Sequence, residues 1–357
     1  MAEFMKGCEA IAEAAVRAGC RFYSGYPITP QSEIMEYLSH RLPEVGGVFV
    51  QGESEIAAIN MVYGAASSGV RAMTSSSSTG VSLKTEGISY MASTRLPGVV
   101  VSAMRCGPGL GMIQPSQMDY FQATKAPGHG GVKCLVFAPS TVQECVDLMG
   151  TAFEKAFRDR NPVIMLVDGC LCAIMEPVEL PPMLDLSELP TPDWALTGNE
   201  GREKRAIVPC AAEPEDWERF TIGMKRLYSS WEDRDVMVEE YLLDDAEYVI
   251  AAYGTSARVS RSAIRMLRGE GIKIGMIRPI TVNPFPKEAF HRLDASKVRK
   301  ILDVEMAIPA QMAEDVERAV CGRIPIECTA RCGGVVITEE EIYEAVKELV
   351  AGEEEKE

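Results

Sequence analysis

The sequence predicts an α/β protein with two blocks, each built on a mostly parallel sheet that helices cover on both faces. Two observations support this fold class. Strand-length apolar runs alternate with helix-length amphipathic segments along residues 1–175, and again from residue 248 onward. Between these regions, residues 176–192 contain five prolines in seventeen residues, which neither a helix nor a central strand tolerates. The chain of 357 residues is long enough for two domains.

The elements of the first block follow from these patterns. Apolar residues recurring on one face predict helices at residues 9–18, 31–41, 54–67, 81–92 and 141–158. Pro30 or Gln31 opens the second of these helices, because proline is favoured in the first helical turn. Buried apolar runs predict strands at residues 21–24, 48–50, 70–74, 99–103, 134–137 and 163–167.

A charged and irregular stretch, residues 198–245, follows the proline-rich segment, with one helix predicted near residues 217–228. This stretch could wrap over a neighbouring subunit. The second block predicts strands at residues 248–253, 273–277 and 300–304, and helices at residues 257–268, 311–321 and 339–350. The predicted units are a domain at residues 1–180, a linker and wrapping segment at 181–244, a domain at 245–351 and a solvated acidic tail at 352–357.

Charge and composition exclude several classes of function. The chain has 36 Lys and Arg against 52 Asp and Glu, a net charge of −16. Such a surface repels nucleic-acid phosphates and anionic lipid. No apolar run approaches the ~20 residues of a membrane span, and the amino terminus lacks a signal-peptide core. Eleven scattered cysteines suit a reducing compartment. We therefore expect a cytoplasmic protein that binds neither nucleic acid nor membranes.

Metal and iron–sulfur ligation are not expected within this chain. Such centres need several thiolates or imidazoles close together, typically in CxxC arrays. The nearest approach is Cys170-Leu171-Cys172, in which a continued strand would point the two thiols to opposite faces. We interpret these cysteines as plain thiols, with metal binding as the minor alternative.

Candidate functional residues lie in loops after predicted strands, where a parallel sheet places its ligand crevice. In residues 25–30 two prolines fix the backbone around Thr29, whose hydroxyl could bind a carboxylate or carbonyl; a plain strand-to-helix turn is the alternative. Glu53 and Glu55 begin the next helix, where the helix dipole alone would explain them. Glu55, however, precedes a strongly apolar run, and a carboxylate in such surroundings can share a proton with a nitrogen heterocycle.

The longest candidate loop covers residues 105–131, and loops of this length are commonly functional. Arg105 at its start could receive a carboxylate in a bidentate manner, or be an ordinary surface arginine. Residues 75–80, a run of Ser, Thr and Gly, suit an anion-binding or cofactor-binding turn and equally a tight turn. Residues 254–257 are a weaker candidate for an anion site at a helix start.

Five of these motifs stand in an order that one known family shares. They are Tyr26-Pro27-Ile28-Thr29-Pro30, Glu53-Ser54-Glu55-Ile56-Ala57, Arg105 with its glycine-rich loop, Gln114-Pro115-Ser116-Gln117 and Gly254-Thr255-Ser256-Ala257. In them the chain resembles, over nearly its whole length, the alpha subunit of the 2-oxoacid:ferredoxin oxidoreductases. The resemblance is strongest to the branched-chain type, which acts on 3-methyl-2-oxobutanoate (2-ketoisovalerate).

The resemblance implies that residues 1–180 are the pyrimidine-binding domain of a thiamine diphosphate enzyme and that residues 245–351 are a transketolase C-terminal-like domain. It implies that Glu55 binds the N1′ atom of the aminopyrimidine. Thr29 and Arg105 would orient the carboxylate of the 2-oxoacid, so these three are the expected catalytic residues. The expected cofactor contacts, besides Glu55, are Pro27, Ile28, Thr29, Ser77 and Ser78.

The resemblance also implies partner chains. The Gly-Asp-Gly motif of a diphosphate and Mg²⁺ site is absent, since only Asp168-Gly169 occurs, so a beta subunit would supply that half. Mg²⁺ and iron–sulfur clusters would lie on partners, which would include gamma and ferredoxin-like delta subunits. The implied reaction is the oxidative decarboxylation of a branched-chain 2-oxoacid to acyl-coenzyme A and CO₂, with electrons passing to ferredoxin.

Three residues depart from the family pattern around the expected substrate pocket: Cys106 and Met112 replace glycines and Thr79 replaces a proline. These departures leave the accepted oxoacid open. A 2-oxoglutarate or pyruvate oxidoreductase subunit is therefore an alternative, and a non-catalytic assembly subunit of such a complex is another. A free-standing acyl or ketol transferase is disfavoured because the diphosphate motif is missing.

Overall fold

The computed structural model describes residues 2–354, and all elements below are assigned within that range. The strands are β1 (Glu3–Lys6), β2 (Phe22–Gly25), β3 (Val48–Gln51), β4 (Ala72–Ser76), β5 (Gly98–Met104), β6 (Leu135–Phe137), β7 (Pro162–Asp168), β8 (Met175–Val178), β9 (Val238–Tyr241), β10 (Tyr248–Ala252), β11 (Ile274–Pro279), β12 (Thr281–Asn283), β13 (Lys300–Glu305) and β14 (Ile326–Ala330). The helices are α1 (Gly7–Arg17), α2 (Ser32–Glu44), α3 (Glu55–Ser67), α4 (Thr79–Ser93), α5 (Tyr120–Thr124), α6 (Val142–Asp159), α7 (Gly169–Ala173), α8 (Pro214–Arg234), α9 (Gly254–Gly269), α10 (Lys287–His291), α11 (Met312–Val320) and α12 (Glu339–Glu354).

Two main sheets organise these strands. The larger sheet has the order β12-β6-β7-β5-β4-β2-β3, with parallel neighbours except for the antiparallel edge pair β12 and β6. The smaller sheet has the order β14-β13-β10-β11-β9, again parallel except for the edge pair β9 and β11. Strands β1 and β8 form a separate antiparallel pair. The predicted α/β class with mostly parallel sheets is confirmed.

Helices cover both faces of the larger sheet, so its central strands lie in the core. Every residue of β5 and β7 is buried. Because successive side chains of a strand point to opposite faces, alternate residues of β5 join different apolar clusters. Val99 and Val101 belong to the cluster of α1, α2 and α6, whereas Val100 belongs to the cluster of α3 and α4. The latter cluster continues into the smaller sheet, for example at Val249. The second block therefore packs against the α3 and α4 side of the first.

The predicted helices and strands are present, with limits that differ by a few residues. Helix α8 is longer than the predicted helix, and β9 lies in the segment predicted as a linker, where it forms an edge of the smaller sheet. Strand β12 comes from the second block but extends the larger sheet. The sequence patterns did not reveal β1, β8, β9, β12 and β14, because three to five residues at a sheet edge carry too little periodicity to be recognised.

Two further segments differ from expectation. The loop at residues 105–131 contains the short helix α5, so it is not entirely without secondary structure. Helix α12 continues past the predicted end at residue 350 to Glu354, and residues 355–357 of the predicted tail lie outside the described residues. Among residues 2–354, no helix combines the length and the apolar character that crossing a bilayer requires.

Candidate cofactor and substrate site

Four neighbouring parallel strands bring the expected site residues to one edge of the larger sheet. Glu55 follows β3, Thr29 follows β2, Ser77 and Ser78 follow β4, and Arg105 follows β5. These strands lie side by side in the order β5-β4-β2-β3. Since the carboxyl ends of parallel strands meet at the same edge, residues separated by up to 76 positions in sequence become neighbours, as in the contact of Arg105 with Thr29.

Glu55 is the first residue of α3, and its side chain is only 6% exposed. The helix begins there because the Ser54 hydroxyl accepts a hydrogen bond from the Ala57 amide, at 3.2 Å. Glu53, two positions earlier, is exposed, so the two carboxylates of this motif have different surroundings. Within residues 2–354, no donor forms a hydrogen bond with the Glu55 carboxylate. Gly80 leaves room beside it, because a Cβ atom at that position would lie 2.5 Å from Glu55 Oε1.

Arg105 is a buried cation that neutral groups hold in place. Its Nη1 donates to the main-chain oxygen of Thr29 at 3.1 Å, and its Nη2 donates to Thr79 Oγ1 and to the Leu110 oxygen, both at 3.3 Å. Its Nε is buried and has no hydrogen-bond partner among the described residues. No carboxylate of that part of the chain forms an ion pair with Arg105. The guanidinium is therefore positioned, with charge and one donor available to an anion.

The serine side chains at the end of β4 and in the turn to α4 differ in their hydrogen bonding: Ser78 is bonded, whereas Ser76 and Ser77 are not. Ser78, at a φ of +33°, accepts from the Arg105 amide at 3.0 Å and donates to Asp119 Oδ2 at 2.5 Å. Burial raises the pKa of Asp119 to about 6, although the Ser78 hydrogen bond and the Arg105 charge act against this rise. The hydroxyls of Ser76 and Ser77 are buried without a partner among the described residues. We call Thr29, Glu55, Ser76, Ser77 and Arg105 the cradle.

The loop after β2 presents Thr29 to solvent, with Pro27 also exposed and Ile28 half-buried. Gln31 stabilises this loop, because its Nε2 donates to the main-chain oxygen of Tyr26 at 3.0 Å. The Thr29 hydroxyl has no hydrogen-bond partner within the described range. The structure therefore leaves this hydroxyl accessible, as a substrate-binding role requires.

Lys84 and Asp119 are polar residues of this region that the sequence reasoning missed. Lys84 is completely buried, and its Nζ donates to Thr74 Oγ1 at 3.0 Å and to the main-chain oxygen of Glu55 at 3.4 Å. A signal was present, since Lys84 occupies a core position of α4 at helical spacing from buried Val81 and Ile88. Asp119 lies in a loop without periodicity, and no sequence pattern marks it.

The candidate anion site at residues 254–257 is filled by the protein itself. Asp168 accepts hydrogen bonds from the Thr255 amide at 2.8 Å and from the Thr255 hydroxyl at 2.6 Å. Gln117 accepts from the Ser256 hydroxyl at 2.8 Å and donates to the Tyr253 oxygen at 2.8 Å. The weak candidate for an external anion site at this helix start is therefore not supported, because a carboxylate of the first block occupies the start of α9. We call Gln117, Asp168, Thr255 and Ser256 the docking hub.

The remaining sequence features do not join the cradle. Cys170 and Cys172 lie in α7 rather than in a continued strand, because β7 ends at Asp168. The described residues contain no cluster of His, Cys, Asp and Glu side chains suited to a metal ion. A cavity of about 580 Å³ between α4, residues 129–133 and α8 contains none of the cradle residues.

Comparisons with known proteins identify the family of this chain. Residues 13–238 match the family model described as pyruvate flavodoxin/ferredoxin oxidoreductase, thiamine diphosphate-binding, and residues 246–342 match the pyruvate:ferredoxin oxidoreductase core domain II. The class of protein is thus a thiamine diphosphate-binding domain joined to a second α/β domain. The chain belongs to the 2-oxoacid:ferredoxin oxidoreductase family and is a subunit of such an enzyme, which confirms the predicted family, fold and enzyme class.

Individual relatives cover almost the whole chain. The ketoisovalerate oxidoreductase subunit VorB of Methanothermobacter thermautotrophicus is 45% identical over 98% of both chains. The 2-oxoglutarate synthase subunit KorA of the same organism is 34% identical over 97% of this chain and 98% of its own. A solved structure of 2-oxoglutarate:ferredoxin oxidoreductase from Magnetococcus marinus, with 2-oxoglutarate, coenzyme A and succinyl-CoA bound, has a TM-score of 0.85 at 25% identity. The match covers 97% of this chain and 65% of that one.

Proposed function

We propose that this chain supplies the aminopyrimidine half of a thiamine diphosphate site in a complex that oxidises a branched-chain 2-oxoacid. The products are acyl-coenzyme A, CO₂ and reduced ferredoxin. The observation that carries this proposal is the buried Glu55 carboxylate, which has no hydrogen-bond donor among the described residues and lies at the sheet edge that also holds Arg105. An unpaired buried carboxylate is costly unless a ligand supplies its partner.

The cradle fits the groups that it would bind. The Ser76 and Ser77 hydroxyls and the Arg105 Nε are buried and lack partners in residues 2–354, so each offers an unused polar contact. Gly80 keeps the approach to Glu55 open, since a Cβ atom there would also lie 2.2 Å from Ser76 Oγ. A planar heterocycle with a ring nitrogen suits the carboxylate, and a carboxylate substrate suits the arginine.

Thiamine diphosphate, when bound, supplies a nucleophilic carbon that adds to the oxo group and an electron sink that lets CO₂ leave. Glu55 would hold the proton at N1′ of the aminopyrimidine, the role of a positioned acid and base. The Thr29 hydroxyl and the Arg105 guanidinium would orient the substrate carboxylate until it departs. Pro27 and Ile28, from the loop that presents Thr29, and Ser77, with its free hydroxyl, would contact the cofactor. Ser78 would act by holding the Arg105 backbone.

The other parts of the reaction belong to partner chains in this proposal. A beta subunit would bind the diphosphate and Mg²⁺, because the Gly-Asp-Gly motif is reduced to Asp168-Gly169 in this chain. The Asp168 carboxylate is moreover already hydrogen-bonded to Thr255 in the docking hub. Iron–sulfur clusters on gamma, delta or beta partners would pass two electrons, one at a time, to ferredoxin. Coenzyme A would accept the acyl group, as supported by the bound coenzyme A of the Magnetococcus enzyme. All eleven cysteines are unpaired, which supports a reducing, cytoplasmic location.

The higher identity to VorB than to KorA supports a branched-chain substrate. The test is dye reduction that depends on coenzyme A, measured with the anaerobically purified complex on branched, aromatic, C5-dicarboxylic and pyruvate-type 2-oxoacids. The expected result is the highest kcat/KM with 3-methyl-2-oxobutanoate. A preference for 2-oxoglutarate or pyruvate would retain the chemistry and reject the substrate. Inactivity on all of them, with cofactor and clusters present, would indicate an assembly subunit instead.

A further inference from the structure

The cavity of about 580 Å³ between α4, residues 129–133 and α8 lies away from the cradle. Helix α4 begins at the cradle, whereas the residues that it contributes to the cavity, from Ser89 to Ser93, lie at its other end. A helix rises about 1.5 Å per residue, so Tyr90 lies about 16 Å along the helix from Thr79. None of the lining residues takes part in the proposed reaction. The size of the cavity is that of a small-molecule site.

The wall that α8 contributes to this cavity is aromatic. Trp217 and Phe220 are stacked with their ring centroids 4.9 Å apart, and Tyr228 follows about two turns later on the same helix. Trp217 is exposed, and the other two rings are only half-buried. Tyr90 of α4 also lines the cavity. Accessible aromatic faces bind planar rings by stacking, so this wall suits a planar heterocycle.

Contacts within the chain hold the cavity in shape. Ala92, Val132 and Met224 form a small buried apolar cluster that joins α4, the loop after α5 and α8. The Ser89 hydroxyl donates to the main-chain oxygen of His129 at 2.9 Å, which attaches the loop to α4 a second time. The walls of the cavity are therefore positioned before any ligand binds.

The rim of the cavity carries positive charge without acidic partners. Lys133 and Lys225 are exposed, and neither ammonium forms an ion pair or a hydrogen bond within residues 2–354. Glu232 is the one carboxylate among the described lining residues, and it already pairs with Lys287. The whole chain has a net charge of −16, so this rim differs in sign from the protein around it. Local positive charge of this kind attracts anions.

A second cavity of about 230 Å³ adjoins the first and shares Lys133 with it. Arg318 also lines this second cavity, and its guanidinium has no ion-pair partner in the described part of the chain. The two other basic residues there are paired with carboxylates. Unpaired positive charge therefore continues from the aromatic cavity into the second one.

We propose that the two adjoining cavities form a nucleotide-binding site. A planar base stacks on the aromatic wall of α8, and phosphate groups bind Lys133, Lys225 and Arg318. This ligand class uses both features, since an uncharged ring would leave the cations unused and an inorganic anion would leave the aromatic wall unused. Free nucleotides and the adenosine phosphate end of coenzyme A share this chemistry. The inference uses no cradle residue and does not depend on the proposed reaction.

The test is calorimetric titration of the intact complex, with its cofactor bound, using ADP, adenosine, pyrophosphate and coenzyme A. We expect ADP to bind at least about tenfold more tightly than adenosine or pyrophosphate, because each of these supplies only one of the two binding groups. Competition between coenzyme A and ADP would assign the site to the adenosine end of coenzyme A. Independent binding of the two would assign it to a free nucleotide.

Variants locate the binding in these cavities. Lys225→Glu should weaken ADP binding about ten- to hundredfold, because repulsion replaces attraction at the phosphates. Trp217→Ala should weaken it about fivefold or more, since a stacking surface is lost. The control is Lys297→Glu, which changes an exposed lysine that lines neither cavity and should leave the Kd unchanged. If Lys225→Glu does not assemble, Lys225→Gln should show a smaller loss in the same direction.

Absence of ADP binding to the parent complex up to about 1 mM would overturn the proposal. Binding that neither Lys225→Glu nor Trp217→Ala weakens would also overturn it, because ADP would then occupy another site of the complex. Equal affinities for adenosine and ADP would contradict the phosphate contacts. The titration measures binding alone, so these outcomes are independent of whether the complex oxidises a 2-oxoacid.

Discussion

The cradle and the docking hub are both clusters of polar side chains, all buried except the exposed Thr29 of the cradle, yet their hydrogen bonding differs. In the hub, Asp168 accepts three hydrogen bonds, from the amide and hydroxyl of Thr255 and from the Leu171 amide. Gln117 uses its oxygen twice, for Ser256 Oγ and the Met306 amide, and its Nε2 for the Tyr253 oxygen. These bonds join the first block to the ends of β10 and β13, so they hold the domains together.

In the cradle, by contrast, buried polar atoms remain without partners in the described chain. They are the hydroxyls of Ser76 and Ser77 and the Nε of Arg105. The carboxylate of Glu55, a residue that is 6% exposed, likewise has no donor among the described residues. Satisfied polar clusters stabilise and specify a structure, whereas unsatisfied ones cost free energy that a ligand can recover. The contrast therefore separates a cluster that is satisfied within the protein from one that leaves polar groups available to a ligand, although both lie after strands of parallel sheets and both include a helix start.

The loop that begins at Arg105 connects the cradle to the docking hub. Arg105 begins this loop and Gln117 lies near its end, and the two ends are tied to different blocks. Gly254 allows the close approach, because its φ is +54° and a Cβ atom there would lie 2.7 Å from Asp168 Oδ2. The hub thus fixes the far end of the loop whose near end carries Arg105, the residue proposed to bind the substrate carboxylate.

The largest expected effect comes from the cradle. Replacing Glu55 with Gln should lower turnover of the complex by about 10²–10⁴-fold, because a positioned proton carrier is lost. Assembly and the melting temperature should change little, since the carboxylate has no partner to lose in the described residues. The matched control is Glu53→Gln, an exposed carboxylate two residues away, which should keep full activity. Retention of more than about a tenth of the parent rate by Glu55→Gln would contradict its role.

Arg105→Lys tests whether the cradle cation acts through its geometry. Lysine keeps the charge but lacks the planar fork that bonds Thr29, Thr79 and Leu110 at once. We expect KM for the oxoacid to rise about ten- to hundredfold, with a smaller change in kcat. The control is Arg95→Lys, because Arg95 also donates to a main-chain oxygen, that of Asp159, but lies outside the cradle. An unchanged KM for Arg105→Lys would indicate that its charge alone suffices.

For the hub, the expected effect is on stability. Asp168→Ala should lower the free energy of unfolding by about 2–5 kcal/mol, because it leaves buried donors of Thr255 and Leu171 unpaired. Denaturant unfolding of the full chain measures this. Asp185→Ala is the control, since Asp185 accepts the same pair of bonds, from the amide and hydroxyl of Ser187, but is exposed. Equal losses for both variants would contradict the structural role of the hub.

The two clusters also show what sequence reasoning can reach. Alternating apolar runs and helical periods predicted the parallel strands and therefore the sheet edge, and the family motifs predicted Glu55, Thr29 and Arg105 at that edge. The pairing of Asp168 with Thr255 was not predictable, because it joins residues 87 positions apart from different blocks. The buried state of Lys84 was foreseeable only in part, since its helical spacing marks a core position while its charge suggests a surface one.

The smallest effect in this set concerns Asp119, the cradle's neighbouring carboxyl. Burial raises its pKa to about 6 from the ordinary value of 3.8, so folding favours its protonated form. The folded state therefore has a cost at Asp119 that is fully present above about pH 6 and disappears as the pH falls below the unfolded pKa. Asn at this position keeps an oxygen that can accept the Ser78 hydrogen bond and removes the charge.

Asp119→Asn should thus stabilise the chain above about pH 6 by on the order of 1–3 kcal/mol. The gain should shrink to nothing as the pH falls through about 6 toward 4, which thermal unfolding across this range would show. A gain that is independent of pH would mean that Asp119 is not the titrating group. Such stabilisation fits the contrast with the hub. The carboxylate of Asp168 is satisfied by three donors, whereas burial of the Asp119 carboxyl near Arg105, the proposed substrate-binding residue, costs free energy.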